Sequence, residues 1–285
     1  MIDLVTVVFR DELEILKIQA QSIDLYCGNL GVRSVYVVVN DEDSVATAID
    51  PAWWGKLKSS VRIVPRSTFS TQYIEDGWIS QQILKILGSS MSYNTWSLIL
   101  DAKTILVAPV DPNRLVNKDG RMVWGAWPIQ AVFVDSQQIT NKLFNINLTH
   151  CLEPGGVPFL FHNNSIRSMI AEISKRVNQD FPVWFQQQKL LTEFILYSGY
   201  LQYVHGSLNK ICSIPHDKKP YDACNICHSD LEHVDRKLAQ MLAYDPNLLS
   251  VSVHRHAWDK FDNKQKELYR TVLMNKHITQ AANIK

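Results

Sequence analysis

Apolar residues in this chain gather into short valine-rich runs, separated by longer stretches where they recur at helical spacing. Asp3 to Phe9 (DLVTVVF) alternates poorly and is dense in Val, the pattern of a strand buried on both faces. Asp11 to Tyr26 carries Leu13, Leu16, Ala20, Ile23 and Leu25 close to helical spacing, with Asp11 as the expected N-cap and Gly28 as the expected terminator. Ser34 to Val39 (SVYVVV) and Val61 to Val64 predict two more buried strands. Ile79 to Leu87 predicts a helix, and Trp96 to Val107 a fourth strand interrupted by Asp101. This strand and helix alternation predicts an α/β fold with a mainly parallel central sheet flanked by helices.

The second half is more irregular. Met122 to Pro128 (MVWGAWP) reads as a strand with a Gly-containing turn, and Pro158 to His162 as a short strand. Ser165 to Val177 is an amphipathic helix through Ile166, Met169, Ile170 and Ile173, and Leu190 to Val204 a strongly apolar one. Leu248 to Val253 predicts a late strand and Lys264 to Met274 a terminal helix. No internal repeat and no Ser/Gly/Pro linker divides the chain. The expectation is one domain over residues 1–285, with a regular half (1–112), an irregular half (113–260) and a C-terminal helix (261–285).

Composition narrows the function classes. Of 285 residues, 46% are hydrophobic, and Gly and Pro number 11 each, which excludes disorder as the main state. Lys and Arg total 29 against 28 Asp and Glu, a formal charge of +1 that argues against a generally basic nucleic-acid binder. No apolar run reaches the roughly 18 residues of a membrane-spanning helix. The acidic residues on both sides of the first apolar run (MIDLVTVVFRDE) do not fit a secretory signal, so a cytoplasmic location is expected.

Five cysteines are an odd number for a disulfide scaffold. Cys224-Asn-Ile-Cys227-His228 matches the short haem-attachment pattern, and zinc is a second option, with Cys212 or His233 completing four ligands. Without a second CxxC or an export signal, a surface loop is the preferred reading of that run.

In open parallel sheets, ligands bind beyond the carboxyl ends of the strands. Arg10, Asn40, Asp41, Arg66, Ser67 and Asp101 are therefore the first candidates. Neither GxGxxG nor GxxxxGK[ST] occurs, which sets aside the dinucleotide-binding and P-loop folds.

The most informative segment runs from Asp76 to Val110, DGWISQQILKILGSSMSYNTWSLILDAKTILVAPV. A helix bearing Gln81, Gln82 and Lys85 precedes an apolar strand that ends Asp101-Ala102-Lys103-Thr104, then a short apolar run and Pro109. This resembles the Asp-x-Asp region of nucleotide-sugar glycosyltransferases with the GT-A fold. With GWxxQQxxK upstream, and Thr192-Glu193-Phe194 and Tyr197 downstream, it resembles more specifically the DUF6492 group of glycosyltransferase-like proteins, over roughly residues 3 to 260.

The resemblance implies a single GT-A-like domain that moves a sugar from a nucleotide-diphosphate donor, a UDP sugar first among them, to a hydroxyl on a glycan, a small molecule or a nucleic-acid base. Residues 1–112 would bind the donor and 113–260 form the acceptor side. It also implies Mn²⁺ or Mg²⁺ held by two carboxylates. Here Lys103 stands in the second carboxylate's place. An ammonium cannot ligate a metal, but it can meet a diphosphate as a point charge. Arg10, Asn40 and Asp41 would border the nucleoside, and Gln82, Lys85, Asp101 and Lys103 the diphosphate.

A later histidine is the other expected phosphate or metal group. His254-Arg255-His256 follows the LLSVSV run, and an extended chain would turn His254 and His256 to one side. His205 competes for that role. Glu193, set among Leu190, Leu191, Phe194, Ile195 and Leu196, is either paired with a cation or functional, because burying a carboxylate alone is costly. It is the expected catalytic base or acceptor-binding group. Among Trp78, Trp96, Trp124, Trp127 and Trp184, Trp127 on the turn Gly125-Ala126-Trp127-Pro128 is the expected sugar platform. A nucleotide-sugar-binding protein without turnover is the competing class.

Overall fold

In the computed structural model, described for residues 1–69, 76–152, 158–213, 220–243 and 245–283, the first valine-rich run forms strand β1 (Ile2–Val8), buried at every residue. Strands β2 (Val35–Val39), β3 (Val61–Val64) and β4 (Trp96–Asp101) join it in the order β3-β2-β1-β4, all parallel. A central strand covered on both faces has no solvent-facing position, which is why β1 reads as a continuous apolar run.

Helix α1 (Leu13–Tyr26) connects β1 to β2, and α2 (Gly77–Ser90) lies between β3 and β4. The first connection moves outward across the sheet and the second moves back past β1. Right-handed crossovers therefore place the two helices on opposite faces. The order reverses at β1 and β4, and the crevice beyond their carboxyl ends is where such a sheet receives a ligand.

Beyond β4 the chain forms β5 (Ile105–Leu106), α3 (Pro112–Leu115), β6 (Ala126–Pro128), α4 (Val134–Phe144), β7 (His150–Leu152) and β8 (Phe159–His162). Then come α5 (Asn163–Val177), α6 (Phe181–Gln186), α7 (Glu193–His205), β9 (Asp222–Ile226), α8 (Val234–Leu242), β10 (Leu248–Val253), α9 (Arg255–Trp258) and α10 (Asn263–Met274). Strand β8 closes the main sheet antiparallel to β4. A second sheet, β5-β10-β9, has its own core with Ile18, Leu238, Tyr269 and Leu273, and a small third sheet pairs β6 with β7. The α/β architecture, with a mainly parallel central sheet flanked by helices, is as the pattern predicts. Among the described residues no helix is long and apolar enough to cross a membrane.

Several local expectations are corrected. The helix starts at Leu13 rather than Asp11, after a 3-10 turn at Arg10–Glu12. Asp11 does not cap it, because its carboxylate pairs with Arg255 at 2.7 Å. Gly28 does not terminate it either: Cys27 is the C-cap and the left-handed residue is Gly31, at φ 61°. The run Trp96–Val107 divides between two sheets, because Thr104 N–H closes a turn onto the Asp101 carbonyl at 2.8 Å and redirects the chain into β5. Met122 to Pro128 is a strand only from Ala126, since Met122 bridges two other segments, at Val116 and Cys212. Finally, Cys224 sits within β9, an edge strand, rather than in a loop.

Helices α4 and α7 cross closely where Gly199 meets Thr140. A methyl group at position 199 would come within 2.0 Å of Thr140 Cγ2. Gly199→Ala is expected to cost about 1–3 kcal/mol through overpacking. Thr140→Ser deletes the obstructing methyl, and the next neighbours lie at 3.5 and 3.6 Å, ordinary contact distances. The double variant should therefore recover most of the loss, measured by urea unfolding.

Candidate active site

Asp101 lies beside Val7 at the carboxyl ends of β4 and β1. Its Oδ1 accepts from Lys85 Nζ at 2.8 Å and from Gln81 Nε2 at 3.0 Å, and its Oδ2 accepts from Lys103 Nζ at 2.9 Å. Lys85 also reaches Glu193 Oε1 at 3.0 Å. The result is a line of alternating charge, Glu193–Lys85–Asp101–Lys103, whose formal charges cancel.

Helical spacing in α2 brings Gln81, Gln82 and Lys85 to one side of the helix. Gln82 Oε1 accepts from the Glu193 amide at 3.2 Å and so fixes the first turn of α7. From the opposite face of the sheet, fully buried Gln19 of α1 donates to the carbonyls of Asp101 and Thr104 and holds the turn that carries Lys103.

Solvent reaches only one end of this line. Lys85 and Glu193 are 5% and 3% exposed, so Glu193 is neither a solvated helix-end charge nor a side chain free to meet a ligand: it is paired. The Lys103 side chain, by contrast, is 20% exposed. Burial raises the Asp101 pKa, but Lys85 and Lys103 outweigh it and hold the carboxyl well below the usual range. Burial likewise lowers the Lys85 pKa, and Asp101 and Glu193 outweigh it, so its ammonium is held more firmly than usual.

Glu12 completes the surroundings of Lys103. Its Oε2 accepts from the Phe9 amide at 3.2 Å. Burial pushes its pKa up, opposed chiefly by Lys103 and then by the Phe9 hydrogen bond. A carboxyl raised in the fold contributes stability that is fully present below its unfolded pKa and lost as pH rises through the folded one. Glu12→Gln is therefore expected to raise the melting temperature at pH 7 by a few degrees and to leave it unchanged at pH 3. Thermal unfolding at the two pH values checks this.

The remaining candidates divide between two regions. Asn40, at the end of β2, is buried and tied to Ser80 and to Gly77 O, while Asp41 accepts from the Arg10 amide and Arg10 pairs with Glu42. Arg66 donates to Asn40 O at 3.0 Å, and Ser67 bonds Asp43. These groups border the crevice beside β1 and β2.

His254 caps α9, and its pKa is lowered by burial first and then by Lys103 and His256, which places it beside the Lys103 end of the line. The extended arrangement expected for His254 and His256 is replaced by a helical turn, which still leaves their rings 5.2 Å apart. His205 stands near His162, whose strand partner is Trp96 at the opposite end of β4 from Asp101. Trp96, Trp124 and Trp184 are core residues, Trp127 is half-buried in β6, and Trp78 is 52% exposed. Cys227 is exposed, and the side chain of His228 lies outside the described residues.

Glu12 and Gln19 escaped the sequence reading. A carboxylate just past the first buried strand, and a lone amide on the apolar face of α1, were the available signals.

The donor set does not fit a divalent cation. Hard cations require several oxygen ligands. Both oxygens of Asp101 instead receive ammonium protons. Among the described residues, no group of three or more His, Cys, Asp or Glu side chains is arranged to hold a metal ion.

Fold and site together define an α/β protein with a strand-end charge cluster at the switch of its central sheet. Residues 4–226 match the family described as a family of unknown function (DUF6492), and the chain belongs to that family. No curated protein matches it in sequence.

Among solved structures it is similar to the galactosyltransferase LgtC, solved with donor and acceptor sugar analogues, at 12% identity and a TM-score of 0.46 over 95% of this chain and 96% of that one. It is also similar to the glycosyltransferase GlyE in Streptococcus pneumoniae TIGR4, at 11% identity and a TM-score of 0.48 over 98% of this chain and 62% of that one. A third likeness is to mouse xyloside xylosyltransferase 1, at 10% identity and 0.44 over 90% and 99%.

Proposed function

We propose that this chain is a glycosyltransferase that moves a sugar from a nucleotide-diphosphate donor, of the UDP-sugar class, to a hydroxyl acceptor. In the transfer, the bond from the anomeric carbon to the diphosphate oxygen breaks and a bond to the acceptor oxygen forms. The acceptor's proton leaves to a carboxylate of the cleft or to the departing diphosphate. Negative charge accumulates on the leaving group, and a fixed cation placed there lowers the barrier.

The observation that carries the reading is the Lys103 ammonium, anchored by Asp101 at 2.9 Å at the carboxyl edge of the sheet and partly open to solvent. Arg10, Asn40 and Asp41, just past the ends of β1 and β2, are the groups this reading assigns to the nucleoside. The reading corresponds to a metal-independent member of the class. Lys85 takes a supporting part, since its two carboxylate partners leave it no proton for a ligand on those sides.

A binding protein without turnover is the second reading, and one observation favours it: Asp101 and Glu193 are both ion-paired to the buried Lys85, which leaves neither carboxylate free in the cleft. Thermal unfolding with UDP, GDP, CMP and dTDP sugars, each with Mn²⁺ and with EDTA, tests the common part. At least one UDP sugar should stabilise the protein equally in both conditions. Release of free UDP above background then supports turnover, and a stabilising donor that is never consumed supports the second reading. If no nucleotide shifts the transition, both fall.

A further inference from the structure

A cavity of about 340 Å³ opens between the start of α1 and the end of β10, a size suited to a small ligand. Glu12 and Glu14 line it from the α1 side, and Trp258 and Asp259 from the α9 side. Lys103 lines it too, so the cavity opens onto the same ammonium that Asp101 holds. The Asp11–Arg255 ion pair, at 2.7 Å, joins the two walls. The cavity lies on the α1 side of Lys103, and neither Glu193 nor Trp127 lines it.

Its chemistry selects the ligand. Arg255 is matched by Asp11 and Glu14 by Lys17, at 2.7 and 2.8 Å, so of the lining carboxylates Glu12 and Asp259 remain, facing the one further lining cation, Lys103. A phosphate group placed among these carboxylates would be repelled. A purely apolar ligand would strip them of water without giving them partners. A ring of hydroxyls satisfies both demands: its O–H groups donate to carboxylate oxygens, and its C–H face packs on the indole.

We infer that this cavity binds a saccharide ring, neutral or carrying an ammonium group, as the acceptor of the transfer. The acceptor role rests on the glycosyltransferase reading; the saccharide site rests on the cavity itself. The acceptor then approaches past Trp258, and Lys103 separates it from the region bordered by Asn40 and Asp41.

Saturation-transfer NMR on the full chain tests this with glucose, glucosamine, glucuronate and lactose as probes, and with UDP as competitor. Transfer to glucose, lactose and glucosamine protons is expected, strongest for glucosamine and weakest for glucuronate. Trp258→Ala should weaken saccharide binding about tenfold. Because Trp258 packs against Phe261 and Tyr269, the exposed Asp259→Lys serves as a second variant; it should weaken glucosamine more than glucose.

Circular dichroism establishes that each variant is folded. Binding that both folded variants leave unchanged, displacement of the sugar by UDP, or absence of any saccharide signal overturns the inference. A UDP-sugar thermal shift without saccharide binding removes this site and spares the donor reading. Saccharide binding without any nucleotide shift does the reverse.

Discussion

Replacing Lys85 with methionine is expected to lower the unfolding free energy by about 3–5 kcal/mol, the usual cost of leaving a buried charge without its partner. The size follows from the geometry: Lys85 is 5% exposed and bridges Asp101 at 2.8 Å and Glu193 at 3.0 Å. Asp101 keeps Lys103 after the change, so the stranded group is Glu193. Adding Glu193→Gln should therefore restore much of the loss, whereas Glu193→Gln alone, with Lys85 still paired to Asp101, should cost less than Lys85→Met. Urea unfolding of the four proteins measures the coupling.

The pH dependence carries a second signature. A carboxyl depressed in the fold contributes stability that is present above its unfolded pKa and lost as pH falls through the folded one. Asp101 is such a group, so the wild-type chain should lose stability from the ordinary carboxylate range downward, and Lys85→Met should lose less over that interval. A loss under about 1 kcal/mol in Lys85→Met would mean that Glu193 finds water or another cation when Lys85 is gone.

The largest expected effect on activity belongs to Lys103. Removing one fixed group that stabilises transition-state charge typically costs about 10²–10³ in rate, and Lys103→Ala is expected to fall in that range with the fold intact. The wild-type rate should be the same in EDTA as in Mn²⁺. Lys103→Asp restores a second carboxylate beside Asp101, within a site that Glu12 and His254 already adjoin. Its residual activity should become dependent on Mn²⁺. Complete loss of wild-type activity in EDTA, reversed only by Mn²⁺, would show that Lys103 is not the cation of the site.

The elements of this fold were legible because burial acts locally. DLVTVVF and SVYVVV announce strands covered on both faces, and the amphipathic run from Ser165 announces α5. Asp101 was legible because an apolar strand ending in a carboxylate is a short pattern. Its partners were not. Lys85 and Glu193 lie 108 positions apart, and each reads correctly as a polar residue in an apolar helix, but only the packing of α2 against α7 reveals that they neutralise one another. Gln19 meets Asp101 and Thr104 at separations of 82 and 85 positions. The split of Trp96–Val107 was hidden for a similar reason: β5 is defined by its pairing with β10 rather than by its own residues. Periodicity reports whether a side chain is buried, and says nothing about which distant group it meets.

The pairing of β5 with β10 also sets a timetable. Leu106 opposes Ser250, roughly half the chain away. At about 5–20 residues per second, β10 leaves the ribosome about 7–30 s after β5 has emerged. Throughout that interval the parallel strands β1 to β4 are available to assemble, while the segment just beyond Lys103 has an edge with nothing to pair with. The wall bearing His254 and Trp258 arrives last, so the nascent chain carries an open strand edge next to its most polar buried groups. That is the stage at which a chaperone would make the greatest difference to yield.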